Sequence, residues 1–200
     1  MTFTLIDFDN WERREHYLHF INEVRCSYSV CVNLDISNLN GQRLYPAMLW
    51  LLTRTVDEMP EFRTSLTEDG LGYYSEMHPA YTVFNRDTKT FSGIWTEYQP
   101  DYSAFLRDYE TDARHYSATT QYEPKPGRPA NSFDVSMVPW FSFTAFNLNV
   151  FGGGTYLLPI FTMGKTFEEN EKTMLPLAIQ VHHAVCDRLS SSVSVQSLPI

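Results

Sequence analysis

Two adjacent histidines and an aspartate, in the run His182-His183-Ala184-Val185-Cys186-Asp187, are the residues of this chain whose types and spacing suit chemistry. An imidazole takes a proton from a weak nucleophile near neutral pH, and a carboxylate nearby can orient the site or hold a cation. The preceding residues alternate. Leu177, Ile179, Val181 and His183 share one strand face, while Ala178, Gln180 and His182 share the other. His183 therefore ends an apolar stripe, where partial desolvation favours the neutral ring that a general base needs. Asp187 falls past the strand end, where it anchors either that turn or an arginine. Histidine pairs also occur as core packing or as metal contacts, and the run alone does not separate these. Zinc needs third and fourth ligands at suitable spacing, and none stand nearby, so the expected metal complement is none.

The elements that must position this run are readable from periodicity. Trp11, Tyr17, Leu18, Phe20, Ile21 and Val24 have helical spacing, with Asn10 suited to cap a helix over 11–24. Tyr28, Val30, Val32 and Leu34 alternate as in a half-buried strand. A second helix is expected from Pro46 to just before Pro60, and a third from Asp101 to Tyr116. Strands are expected over 81–84, 91–98, 133–138, 143–150, 156–163 and 174–183. Ser117 to Asn131 reads as a long loop, and Gly152-Gly153-Gly154, with no helix behind it, as a turn. That order gives an α+β fold, a two-layer sandwich of helices packed on a mixed, mostly antiparallel sheet.

Composition narrows the function classes. The 200 residues suit one domain, and the formal charge of −9, with no basic cluster, disfavours nucleic acid as a partner. The apolar run Ala47 to Leu52 is too short to span a membrane, and the N-terminus does not read as a signal peptide. Cys26, Cys31 and Cys186 make an odd set in no metal-ligand spacing, as expected of reduced thiols in a cytoplasmic protein. Aromatic residues at 15% point to large buried faces or an aromatic-lined pocket.

The stretch Leu175 to Asp187 resembles the active-site strand of the chloramphenicol acetyltransferases. Asn10-Trp11-Glu12-Arg13-Arg14-Glu15-His16, Phe146-Asn147-Leu148-Asn149-Val150 and Pro159-Ile160-Phe161-Thr162-Met163-Gly164-Lys165 match the same family in the same order. Tyr45 to Met48, Pro60 to Arg63 and Thr90 to Trp95 also fit. The resemblance covers residues 1 to about 187 and implies one acetyltransferase domain with the coenzyme A-dependent acyltransferase fold. It implies acetyl transfer from acetyl-CoA, a co-substrate and not a resident cofactor, to the 3-hydroxyl of chloramphenicol. By the match His183 is the general base, and Asp187 pairs with Arg13 to hold the active-site backbone. Thr162 helps hold a water near the tetrahedral intermediate, Lys165 lies near the coenzyme phosphates, and Phe20, Cys26 and Phe91 line the antibiotic pocket. The family is a homotrimer with active sites between subunits, and no membrane partner is implied.

Three positions depart from that pattern. Ala145 stands where many members carry an oxyanion-binding serine, and Thr166 where an aromatic often stacks near the adenine. Arg188 replaces the glycine that follows the aspartate. Residues 188–200 then form a serine-rich tail in place of the family's C-terminal helix. The break implies a shifted frame or a truncation, so the alternative expectation is a poorly active remnant able to bind the drug.

Overall fold

In the computed structural model the described residues are 1–39, 41–148 and 155–186. Their main sheet has seven strands. These are β2 (Ser27–Asp35), β5 (His78–Asn85), β6 (Thr90–Trp95), β7 (Ser132–Met137), β8 (Ile160–Met163), β9 (Phe167–Glu169) and β10 (Lys172–His182). Their order is β2-β10-β8-β7-β5-β6, with β9 beside β10. The β5–β7 and β7–β8 pairs are parallel and the others antiparallel. The expected mixed, mostly antiparallel α+β architecture is what forms.

Helices α2 (Leu44–Glu58) and α3 (Tyr102–Tyr116) pack on β5 and β6. Helix α2 starts two residues before the expected Pro46, which sits in the first turn, where a backbone N–H has no helical partner to lose. It stops because Met59, preceding Pro60, is forced into an extended conformation. In α3, the Asp101 carboxylate caps the helix by accepting from Ser103 and Ala104 N–H. Part of the aromatic content fills the core beneath these helices, where Phe62, Phe105, Phe133 and Phe161 are fully buried.

Four strands escaped the sequence reading: β9 in the main sheet, and β1 (Phe3–Leu5), β3 (Thr64–Thr67) and β4 (Gly70–Tyr74), which form a separate sheet ordered β1-β4-β3. Gly72 permits it, because a Cβ there would collide with the Thr4 carbonyl and the Phe3 ring. A further correction concerns 143–150. Residues 143–148 form no strand, and 149 and 150 lie outside the described residues, as do the Gly152-Gly153-Gly154 turn, Asp187, Arg188 and the tail. The alternation in 143–148 is real, but its backbone binds side chains instead of a neighbouring strand: Phe146 N–H donates to Cys31 Sγ and Leu148 N–H to Gln180 Oε1. The 156–163 strand is likewise confined to Ile160–Met163.

Pro176 lies inside β10, an unusual place for a residue without an N–H. Its carbonyl accepts from Gly164, between the end of β8 and the start of β9. The missing donor therefore faces a gap in the neighbouring ladder. That gap, Gly164-Lys165-Thr166, presents two of the residues singled out from the sequence.

Near the C-terminal end of α2, the Asp57 carboxylate accepts from Met77 N–H at 2.9 Å. Burial raises its pKa to about 6, although that hydrogen bond and Arg63 oppose the shift. A carboxyl raised in the folded state favours folding when protonated, so this contribution is complete below the unfolded value near 4 and lost as pH rises through 6. Melting temperature should therefore rise between pH 7 and pH 5, and Asp57→Asn should flatten that segment. An unchanged slope in the variant would show that Asp57 does not set it.

Candidate active site

The end of β10 delivers His182 and His183 into a turn that uses the two side chains differently. His182 is 4% exposed, its Nδ1 accepts from Ala184 N–H at 3.1 Å, and its carbonyl accepts from Val185 and Cys186. It closes the turn. His183 is half-buried, and its peptide N–H donates to the Cys26 carbonyl at 2.8 Å, tying the turn to the start of β2.

The His183 ring lies parallel to Phe20, with centroids 4.0 Å apart and planes at 16°, and edge-on to Tyr28 at 5.3 Å. Its Nδ1 is buried without a hydrogen bond to any described residue. Nε2 is neither bonded to a described residue nor enclosed. Two aromatic walls fix the ring plane without neutralising that nitrogen. This is the arrangement a proton acceptor needs.

Phe20 reaches the ring through an irregularity. The expected helix over 11–24 is instead α1 (Arg14–Leu18) followed by a π-helical turn, His19–Glu23, closed by Val24 N–H on the His19 carbonyl. The wider turn shifts the side chains after Leu18 around the axis, a device common at functional sites. Arg13 occupies the cap position of α1. Its guanidinium donates from Nη2 to the His183 carbonyl at 2.8 Å and from Nε to the Ala184 carbonyl at 3.3 Å. Arg13, Phe20, Cys26 and His183 are thus brought together in one chain. Asp187 lies outside the described residues.

A second group gathers elsewhere. Thr162 pairs with Ala178 and Ser136 on adjacent strands, and Ala178 pairs with Cys31, so one row of small or polar side chains crosses the sheet. Thr162 is 2% exposed, with its hydroxyl 3.1 Å from that of Ser136. Ala145 is exposed, in the segment that binds Cys31 through Phe146. Lys165 is exposed beside it, its N–H donating to Phe141, and Thr166 is half-buried. This row meets β10 at Ala178, five residues before His183, or about 16 Å along the strand.

Phe91 is farther still. It lies on β6, four strand spacings from β10, or about 19 Å, and does not reach the His183 ring of its own chain. It borders two clefts. The smaller, of about 500 Å³, is walled by Gly93, Tyr122, Glu123 and Arg128. Lys125 bolts the 117–131 loop over it by binding Asp112 at 2.7 Å and the Trp95 carbonyl at 2.9 Å, with its ammonium over the Trp95 ring. The larger cleft, of about 870 Å³, runs from Ser136 and Met137 past Trp140 to Arg43, Arg86 and Lys89. The sequence reading missed Ser136, Arg43 and Arg86, whose types carry no motif. Only the parallel β7–β8 register exposes Ser136 as the partner of Thr162.

Among the described residues no group of His, Cys, Asp and Glu could hold a metal ion, and no helix is long and apolar enough to cross a membrane. The fold is that of the coenzyme A-dependent acyltransferases. A solved chloramphenicol acetyltransferase superposes with a TM-score of 0.88 at 18% identity, covering 98% of each chain. The cubic core of a pyruvate dehydrogenase multienzyme complex superposes at 0.68 and 17% identity, covering 92% of this chain and 84% of that one.

Sequence carries the assignment further. A family model described as chloramphenicol acetyltransferase matches residues 1–198, past the point where the quoted blocks end. A chloramphenicol acetyltransferase of Clostridium perfringens is 46% identical over 194 residues, 94% of this chain and 89% of that protein. The chain belongs to the chloramphenicol acetyltransferase family, and it is an acyltransferase.

Proposed function

We propose that the protein transfers an acetyl group from acetyl-CoA to the 3-hydroxyl of chloramphenicol, with His183 as general base in a ternary complex. The observation that carries this reading is the His183 ring itself, held between Phe20 and Tyr28 with Nε2 open. Nε2 takes the hydroxyl proton as the oxygen attacks the thioester carbon. The tetrahedral intermediate collapses, the C–S bond breaks, and the imidazolium returns its proton to the coenzyme thiolate. No acyl-enzyme forms. Arg13 holds the carbonyls of the turn with Asp187, Thr162 positions a water near the intermediate, and Lys165 meets the coenzyme phosphates. Phe20, Cys26 and Phe91 line the antibiotic pocket.

The same reading makes the enzyme a homotrimer whose sites lie between subunits. The separation of the His183 group from Phe91 and from the Thr162 row, about 16–19 Å within one chain, supports it. A second chain must close that distance. The outer edge of β2 and the alternating 143–148 segment, neither paired with another strand among the described residues, supply backbone for such a contact. No disulfide joins Cys26, Cys31 or Cys186 among the described residues, in keeping with a cytoplasmic enzyme.

Ala145 offers no hydroxyl to the oxyanion, so turnover is expected below that of a serine-bearing relative, and Ala145→Ser should raise kcat. Purified protein mixed with acetyl-CoA and chloramphenicol should release coenzyme thiol in equal amount to acetylated drug. Thiol release that does not depend on the drug would refute the assignment.

A further inference from the structure

The larger cleft differs from the rest of the surface in its charge. The chain carries a net charge of −9, yet Arg43, Arg86 and Lys89 line this cleft and no carboxylate does. Arg43 is already committed to Glu110 at 2.5 Å and lies over the Tyr109 ring. Arg86 and Lys89 are different. Both are exposed on the loop joining β5 and β6, and neither makes a hydrogen bond or ion pair with a described residue. Asp87, between them, does not line the cleft.

Lys89 also holds a backbone conformation that a lysine does not favour, with φ at +57°. Glycine or asparagine would take that position with less strain. No hydrogen bond or ion pair with a described residue explains a long cationic side chain there.

The cleft's inner end supplies the second half of the argument. Ser136 lines it and contacts the Thr162 hydroxyl, the residue of the proposed chemistry that sits deepest in the sheet. Its wall passes Met137, Val138, Pro139 and Trp140. That wall runs beside the strand end carrying Lys165, through Val138 N–H on the Met163 carbonyl and Lys165 N–H on the Phe141 carbonyl. The cleft thus leads from the Thr162 row to a rim of unneutralised cations. Along the way it offers the exposed Trp140 indole, which meets Phe84 edge-on at 5.3 Å.

We propose that Arg86 and Lys89 form a phosphate-binding rim for the nucleotide end of the acyl-thioester co-substrate, with Trp140 as an aromatic surface beside it. The β5–β6 hairpin is then a determinant of co-substrate affinity, separate from Lys165. This inference rests on the reading of acetyl-CoA as co-substrate. Two flexible, exposed cations bind phosphate as charges more than as a rigid mould, so the contribution is sensitive to salt.

The test is the double variant Arg86→Gln/Lys89→Asn, which removes both charges and keeps a side chain suited to the left-handed position. The KM for acetyl-CoA should rise roughly five- to tenfold, the scale of two exposed charge-assisted contacts. The kcat, the KM for chloramphenicol and the KM for S-acetylpantetheine, which lacks the nucleotide, should stay within twofold. Arg86→Lys/Lys89→Arg should restore the KM. Calorimetric binding of adenosine 3′,5′-bisphosphate needs no turnover and should weaken by a similar factor in the double variant. If bisphosphate binding depends on the pair while acetyl transfer is absent, the rim stands and the reaction assignment fails. Equal KM and equal bisphosphate binding in wild type and double variant, or no bisphosphate binding by the wild type, would overturn the rim.

Discussion

His183→Ala is expected to lower kcat by about 10²–10⁴-fold, the usual contribution of a positioned general base, with both KM values within about threefold. The loss falls on kcat because proton transfer belongs to the transition state and not to the bound ground state. Stability should change little. The peptide N–H to Cys26 and the carbonyl held by Arg13 are backbone groups and survive the truncation. What goes is the stacked contact with Phe20 and the edge contact with Tyr28. His183→Gln should be as inactive as the alanine, since an amide has no basic nitrogen. Activity within tenfold of wild type in either variant would move the base elsewhere.

Arg13→Met should do the reverse, damaging stability and activity together. Arg13 spends two N–H groups on the carbonyls of His183 and Ala184, and each bond from a charged donor contributes about 1.5–3 kcal/mol. Removing both should cost about 3 kcal/mol, read as a fall in melting temperature of about 6–12 °C for a chain of this size. The turn carrying His183 then loses its anchor to α1, and misplacing a base by about 1 Å lowers turnover roughly 10²-fold. Arg13→Lys keeps the charge but not the fork and should recover stability in part. A stable but slow His183→Ala protein beside an unstable Arg13→Met protein would separate the two roles.

The pieces legible in the sequence were those whose signal is local. Helical spacing and proline boundaries found α2 and α3, and short apolar or alternating runs found β2, β7 and β10, because each of those signals lies within one stretch of chain. The small sheet was illegible because β1, β3 and β4 are three to five residues long, and Gly72 reads as a strand breaker until its close neighbours are known. The helix over 11–24 was visible, but not its π-helical turn, since one extra residue per turn leaves Phe20 apolar in either case. In 143–148 alternation misled: it encodes strand geometry, not the neighbour a strand needs, and Cys31 and Gln180 take the backbone groups instead. Of the site, the family blocks pointed to Arg13, Phe20, Cys26 and His183, which do meet. The distance of Phe91 and Thr162 from them is set by sheet order, which no stretch of sequence displays.

Sheet order also dictates when the site comes into being. Among the described strands β2 joins the main sheet only through β10, which is made about 140 residues later. Closing so long a loop costs on the order of 4 kcal/mol before any pairing rewards it. During synthesis β2 must therefore wait with both edges open while β5 to β8 are added, a state that invites aggregation and slow, chaperone-assisted folding. Arg13, Phe20 and Cys26 travel with β2, and His183 arrives with β10. The last strand to dock is thus the one that brings His183 to Phe20 and Arg13, before any second chain can meet them.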